Sequence, residues 1–233
     1  MAVRPVFIPV NDGPVFVRTE LVPFTWHPGL SASQKQKSVA SLHEAASETL
    51  GLSTILEVSS KSTEQLGIIL SAFNLPIFHP VVGRQVSVEC AFQAGKVFQR
   101  GGPFLDLLHV TSRDAKRDPR LRESGQLTEF RFDEQKWPIE PQTAFYDWLY
   151  ITALLSRPEL AKPILAHDAF TDIEFNPQQS INCQAYAVAL CVSLARRGIV
   201  MDVASTRETF LDCVKGAATN NVRQNDVQQG FLF

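Results

Sequence analysis

Two β-rich runs on either side of an Asn11-Asp12-Gly13 turn constrain the start of the chain. They cover residues 3–10 and 15–22. An Asp-Gly pair between two runs of this kind is a strong local signal for a β-hairpin. We therefore expect the chain to begin with two antiparallel strands.

The rest of the chain carries more helical than extended patterns. Further strands are expected at residues 55–60, 71–78, 86–88 and 130–132. Helices are expected at about 31–50 (capped by Ser31 or Ser33), 62–70, 89–99, 104–116, 143–155, 182–197 and 205–215. Residues 168–180 are interpreted as a polar loop. These patterns predict an α+β fold, namely a mostly helical single domain with a small β-sheet.

The sequence predicts that the chain is divided into three segments. Residues 1–50 are expected to form an N-terminal arm of hairpin plus helix, and residues 51–215 are expected to form the main domain. Residues 216–233 are rich in Asn and Gln and are expected to be a poorly ordered polar tail.

Composition excludes several classes of protein. The 22 Lys and Arg residues against 24 Asp and Glu give a net charge of -2, so bulk charge alone does not indicate a nucleic-acid binder. No apolar run approaches the roughly 18 residues that span a bilayer, and the N-terminus lacks an apolar signal core, so we expect a cytoplasmic protein without a membrane partner. The four cysteines form no CxxC pair and the five histidines no HExxH pair, so no metal and no cofactor is assigned.

One polar stripe stands out within the predicted helix at 89–99. Glu89, Gln93 and Lys96 are spaced i, i+4 and i+7, which places them on one helical face with Phe92 at its border. A carboxylate, an amide and an ammonium group on one face can form the polar wall of a pocket. The same spacing is also compatible with an ordinary solvent-exposed face.

Two motifs in the correct order resemble the NADAR family. The first is Leu70-Ser71-Ala72-Phe73-Asn74-Leu75-Pro76-Ile77, and the second runs from Val88 to Phe98. Ala72 and Cys90 replace the usual Asn and His of the family pattern. The resemblance extends over roughly residues 55–200.

The chain is most similar to one branch of that family. Its stretches at residues 33–38 and 59–62 resemble those of NADAR antitoxins associated with DarT-type toxins, which ADP-ribosylate guanine in DNA. The resemblance implies an ADP-ribosyl glycohydrolase that acts as an antitoxin. Its substrate would be guanine-ADP-ribosylated DNA, its product ADP-ribose, and its further partner a cognate DarT-type toxin.

Hydrolysis of an N-glycosidic bond passes through an oxocarbenium-like transition state and needs a carboxylate near C1″ of the ribose. Glu89 is the first candidate for that carboxylate. Asp172 is a second catalytic candidate, although the family pattern around it is degraded. A lysine with a lowered pKa could trap the opened ribose as a Schiff base. Lys61 is the first candidate for this role, with Lys96 and Lys35 as alternatives.

Substrate-binding groups are expected in several segments. The basic stretch Arg113–Arg122 could hold the pyrophosphate or DNA phosphates, or it could be a solvated face. The aromatic rings that could stack on bases are Phe73, Phe92 and Trp148, and the polar groups that complete the expected set are Lys35, Ser71, Asn74, Gln93, Lys96 and Asn182.

Two alternative functions remain open from the sequence. One is an N-glycosidase of a small phosphorylated metabolite, such as a riboflavin-pathway intermediate. The other is a non-catalytic module that binds ADP-ribose or a toxin, an interpretation motivated by the altered residues that follow Asp172.

Overall fold

The computed structural model describes residues 1–178 and 180–216. Its strands are β1 Ala2–Pro9, β2 Val17–Phe24, β3 Ile55–Glu57, β4 Pro76–His79, β5 Arg84–Ser87, β6 Lys96–Phe98, β7 Leu127–Phe132, β8 Gln135–Trp137 and β9 Ala169–Thr171. Its α-helices are α1 Ala32–Leu50, α2 Gln65–Ile69, α3 Val88–Ala94, α4 Ser112–Arg117, α5 Arg120–Glu123, α6 Ala144–Leu155, α7 Pro158–Ile164, α8 Gln184–Arg196, α9 Val200–Ala204 and α10 Arg207–Gly216. Short 3-10 segments lie at Pro80–Val82 and Leu105–His109. The α+β class is confirmed.

A four-stranded sheet in the order β2-β1-β9-β3 forms the centre of the fold. The predicted hairpin is confirmed as the antiparallel pair β1 and β2. The β1 strand also pairs antiparallel with β9, and β9 pairs parallel with β3. The N-terminal hairpin is therefore hydrogen-bonded into the same sheet as the later strands. The division at residue 50 stays a prediction.

Alternate residues of β1 pack into two different cores. Val6 and Ile8 face a small core shared with Val39 and Leu42 of α1. Phe7 faces the main core, where α8 and α6 pack on the other side of the sheet. This alternation follows the two-residue period of a strand, and it explains why β1 is buried on both faces.

The helix predicted at residues 89–99 is shorter than the pattern suggested. It ends at Ala94, and the chain turns into β6, which pairs with β7. The reason is Gly95, whose carbonyl accepts the Arg131 N–H over 2.7 Å. A Cβ at this glycine would lie 2.4 Å from the Arg131 carbonyl oxygen, so only glycine allows the β7 backbone to approach this closely.

Other sequence boundaries also shift. The single helix predicted at 104–116 is split into the 3-10 segment Leu105–His109 and α4, because Thr111 caps α4 by accepting the Asp114 N–H. Of the extended segment predicted at 71–78, only β4 is a strand. The loop predicted at 168–180 contains the buried strand β9. The polar tail predicted beyond residue 216 lies outside the described residues.

Within residues 1–178 and 180–216, no helix combines the length and apolar character needed to cross a membrane.

Candidate active site

Glu89 lies in the first turn of α3, where the helix dipole favours a carboxylate. Ser87 caps this helix by accepting the Cys90 N–H over 3.0 Å. The Glu89 side chain is buried, and its Oε1 accepts a hydrogen bond of 2.9 Å from the Gln93 amide. The Glu89 N–H donates to the Ala72 carbonyl over 2.9 Å, which joins the two sequence motifs. The carboxylate is thus held in one orientation.

Lys96 remains close to Glu89 although it does not belong to the same helix. Its ammonium lies 4.8 Å from the centroid of the Phe92 ring. Burial lowers the pKa of Lys96 to about 8, the charge of Glu89 opposes this shift, and the charge of Lys116 adds to it. A measurable fraction of Lys96 is therefore an uncharged amine at neutral pH. The predicted proximity of Glu89, Gln93 and Lys96 holds, but the helical geometry proposed for Lys96 was wrong.

Lys116 connects α4 to this cluster. Its ammonium lies 5.3 Å from the centroid of the Phe73 ring. Its charge also lowers the pKa of Asp172. The helix is fixed in place by Ser112, whose hydroxyl donates to the Phe73 carbonyl and makes a hydrogen bond with the Ser87 hydroxyl, each over 2.8 Å. Lys116 therefore interacts with groups on both the Glu89 side and the Asp172 side of the site.

Asp172 follows β9 and is buried. Its Oδ1 accepts the Glu174 N–H over 3.0 Å. Burial is the largest cause that raises the pKa of Asp172, and it also raises the pKa of the neighbouring Glu57. Burial raises the pKa of Tyr146, and the charges of Glu89 and Asp172 raise it further. The two predicted catalytic carboxyls thus border the same region of the protein.

Glu57 is the acceptor for three donors. Its Oε1 accepts from the Ser59 hydroxyl at 2.6 Å and from the Ile173 N–H at 2.9 Å. Its Oε2 accepts from the Thr171 hydroxyl at 2.7 Å. Sequence reasoning missed Glu57, although a carboxyl inside the predicted buried strand at 55–60 must find partners and was a usable signal.

Gln184, at the start of α8, makes hydrogen bonds with three segments of the site. Its Oε1 accepts the Ala72 N–H over 2.8 Å, and its Nε2 donates to the Val58 carbonyl over 2.6 Å. It also makes a side-chain hydrogen bond with Asp172 that lowers the pKa of that carboxyl. No sequence pattern singled out this glutamine, because its partners are distant in the chain.

The N-terminal arm reaches the Asp172 side of the site. Lys35 forms an ion pair with Glu174 over 3.2 Å, and its ammonium lies 4.5 Å from the centroid of the Trp26 ring. The Arg4 guanidinium lies 5.5 Å from the same ring. Burial lowers the pKa of Arg4, and the charge of Asp172 raises it. The arm thus adds two cations to this edge.

Lys61, Ser71 and Asn74 lie in turns that border the site. The Lys61 side chain is half-buried, and its backbone N–H donates to the Ser59 hydroxyl over 3.1 Å. The Ser71 carbonyl closes a turn by accepting the Asn74 N–H over 2.7 Å. The Asn74 amide donates to the Ile68 carbonyl over 2.8 Å, so its side chain stabilises that turn.

The three remaining predicted substrate-binding residues, Phe92, Trp148 and Asn182, have different surroundings. Phe92 is buried, with its ring 5.6 Å from Phe130 and 5.1 Å from Tyr146. Trp148 packs against Trp137 and donates its indole N–H to the Ala204 carbonyl, and no contact described for it reaches Glu89 or Asp172. The Asn182 Oδ1 is buried without a hydrogen-bond partner among the described residues. The proposed substrate contacts of these three residues stay predictions.

The comparison with models of known protein families identified a match to one family. A family model described as DarT1-associated NADAR antitoxin matches residues 2–224. The chain belongs to this family. The match includes the N-terminal hairpin, α1 and the connection between them, and so covers Arg4, Trp26 and Lys35. No curated protein gives a significant match.

Proposed function

We propose that this NADAR protein is an ADP-ribosyl glycohydrolase that removes ADP-ribose from guanine in DNA and so reverses the damage done by its toxin. The observation that carries this proposal is Glu89, a buried carboxylate oriented by the Gln93 amide and flanked by Lys96. Membership in a family of DarT1-associated antitoxins supports the choice of substrate.

The reaction replaces a carbon–nitrogen bond by a carbon–oxygen bond. Water adds its oxygen to C1″ of the ribose, and the C1″–N bond breaks with its electron pair left on the guanine nitrogen. We assign to Glu89 the stabilisation of positive charge at C1″ and the uptake of the proton from water. We assign to Asp172 the donation of a proton to the leaving nitrogen, because its raised pKa keeps part of it protonated at neutral pH.

Lys96 is the lysine that best fits a direct role in the reaction. Its pKa is lowered to about 8, and it feels the charge of Glu89. An uncharged amine beside C1″ can displace the guanine nitrogen from the ring-opened ribose, so that the C1″–N(guanine) bond breaks and an imine forms between C1″ and Lys96. Water then adds to C1″ of this imine and releases the lysine amine and free ADP-ribose. Lys61 and Lys35 are less suited, since Lys35 is engaged by Glu174 and no comparable link to Glu89 is described for Lys61.

The test is a substrate panel for the purified protein. The panel contains a guanine-ADP-ribosylated oligonucleotide and a riboflavin-pathway N-glycoside phosphate, together with a binding measurement for free ADP-ribose. We expect release of free ADP-ribose from the oligonucleotide and no turnover of the small metabolite. Turnover of the metabolite alone would favour the small-molecule glycosidase, and tight ADP-ribose binding without any turnover would favour a binding module. Either result would overturn the proposal.

A further inference from the structure

Three exposed arginines lie on the consecutive short helices α4 and α5. Arg113, Arg117 and Arg122 are all exposed. Among residues 1–178 and 180–216, no hydrogen bond or ion pair engages their guanidinium groups. Arg120 differs from them because it binds both Asp106 and Asp118. We call Arg113, Arg117 and Arg122 the arginine surface.

The cations of residues 112–123 outnumber the acidic residues, since Arg113, Lys116, Arg117, Arg120 and Arg122 stand against Asp114, Asp118 and Glu123. Asp118 is held by Arg120 at 2.9 Å, so its charge is already compensated. Asp114 accepts the Thr111 hydroxyl over 2.7 Å as part of the cap of α4. The surface is therefore locally cationic in a chain whose net charge is -2. A concentration of cations without ion-pair partners in an otherwise acidic protein indicates an anionic partner.

The arginine surface adjoins the candidate active site through Lys116. Arg113 and Arg117 are spaced i and i+4 on α4, which places their Cβ atoms about 6 Å apart on one face. Lys116 lies on the same short helix, reaches the Phe73 ring and influences the pKa values of Lys96 and Asp172. Lys116 thus links α4, which carries two of the three arginines, to the candidate site.

We propose that the arginine surface binds the sugar-phosphate backbone of the DNA strand that carries the modified guanine. This inference rests on the proposed function, because a modified base at the site is necessarily joined to a phosphate chain outside it. Arginine suits this role because its planar fork donates two hydrogen bonds to one phosphate. Contacts of this kind fix the position of the strand and carry no base specificity.

The test compares two substrates that share the scissile bond. One is an ADP-ribosylated guanine in a single-stranded oligonucleotide, and the other is ADP-ribosylated guanosine, whose only phosphates are the pyrophosphate of its ADP-ribose. The variant is Arg113→Ala/Arg117→Ala/Arg122→Ala. We expect its KM for the oligonucleotide to rise about 10- to 100-fold, while kcat/KM for the nucleoside stays at the parent value. An equal loss on both substrates would assign these arginines to the pyrophosphate of the ADP-ribose and would overturn the proposal. The slope of log KM against log salt should fall by about 0.7 for each phosphate that the variant no longer binds.

A control variant separates local from general charge effects. Arg18→Ala/Lys162→Ala/Lys215→Ala removes the same charge from exposed positions on β2, α7 and α10. It should behave like the parent on both substrates. Equal KM values and salt slopes for the two triple variants would overturn the proposal. The proposal would also be overturned if the arginine variant kept the parent KM values but no longer neutralised the toxin in cells. That result would favour an acidic protein as the partner of the arginine surface.

The proposed function can fail independently of this inference. If the parent protein cleaves neither substrate, the glycohydrolase assignment fails. Fluorescence anisotropy with the unreacted oligonucleotide then still tests the surface, because the arginine variant should bind it at least 10-fold more weakly than the control variant. Equal dissociation constants would overturn the surface as well.

Discussion

Glu57 and Asp172 lie buried at the carboxyl ends of the parallel strands β3 and β9, and the charge of Asp172 raises the pKa of Glu57. Burial is the larger cause of the raised pKa at both residues. Neighbouring buried carboxyls resist losing both protons, so the pair retains a proton at a pH where exposed carboxyls have lost theirs. The Asp172 side of the site therefore holds a proton at neutral pH.

The stability of the protein should decrease as the pH rises toward 8. The pKa of Glu57 is about 8 in the folded protein against 4.5 as its ordinary value, so the folded state binds more protons than the unfolded state between these limits. The free energy of unfolding therefore falls with increasing pH in this window, by an amount on the order of a few kcal/mol. Thermal unfolding of the parent from pH 5.5 to 8.5 measures the decline.

Glu57→Gln should make that decline less steep, because its amide does not titrate, whereas Asp172 still does. Glu134→Gln, at an exposed position, is the matched control and should keep the parent profile. Parallel profiles for the parent and Glu57→Gln would show that Glu57 does not titrate in this window.

Gln184→Leu should reduce both stability and turnover. The substitution leaves the buried Ala72 N–H and Val58 carbonyl without their partner, at a cost of about 1–3 kcal/mol for each group. It also frees the segment that supports Glu89, so kcat should decrease even at temperatures where the variant is folded. Thermal unfolding and kcat measured below the melting temperature check the two effects. Gln135→Leu at an exposed position of β8 is the control, and an equal kcat for both variants would argue against a positioning role for Gln184.

The rate should decline above about pH 7 if Asp172 supplies the proton to the leaving nitrogen. Its pKa is raised to about 7, so its protonated fraction falls tenfold for each pH unit above that value. Asp172→Asn should lower kcat about 10²- to 10⁴-fold and remove this alkaline limb. Single-turnover rates from pH 5.5 to 9 provide the measurement. An alkaline limb that persists in Asp172→Asn would assign the proton to another group.

Lys96→Met should reduce kcat at least 100-fold, whereas Lys61→Met should change it less than threefold. The reason is that Lys96 has the lowered pKa and feels the charge of Glu89. Treatment of the reacting parent with borohydride, followed by mass spectrometry, reports whether the Lys96 amine reacts with C1″. A larger loss in Lys61→Met than in Lys96→Met would reverse the assignment.

Local sequence signals predicted the elements whose determinants lie close together in the chain. The hairpin, the Ser31-capped helix α1 and the long helices α6 and α8 are of this kind. The end of α3 was not predictable, because the constraint on Gly95 comes from Arg131 on a strand more than thirty residues later. An uninterrupted helical pattern through Lys96 therefore gave the wrong element for that lysine.

The same distinction between determinants close in the chain and distant ones applies to the candidate site. Glu89 and Gln93 were found because one helix turn joins them and a family motif contains both. Gln184 gave no signal, since its hydrogen bonds reach residues more than a hundred positions earlier. Lys116 stood out only as one cation of a basic stretch, and its position over Phe73 depends on how α4 packs.

The most direct test of the central claim compares the parent with Glu89→Gln on a guanine-ADP-ribosylated oligonucleotide. Glutamine preserves the size of the side chain and can still accept the hydrogen bond from Gln93, but it can neither stabilise positive charge at C1″ nor take up a proton. Release of ADP-ribose and binding of the oligonucleotide are measured on the same samples, with Glu134→Gln as the control. We predict that Glu89→Gln binds the oligonucleotide within about threefold of the parent and releases ADP-ribose at least 1,000-fold more slowly. Release at the parent rate by the Glu89→Gln variant would contradict the account.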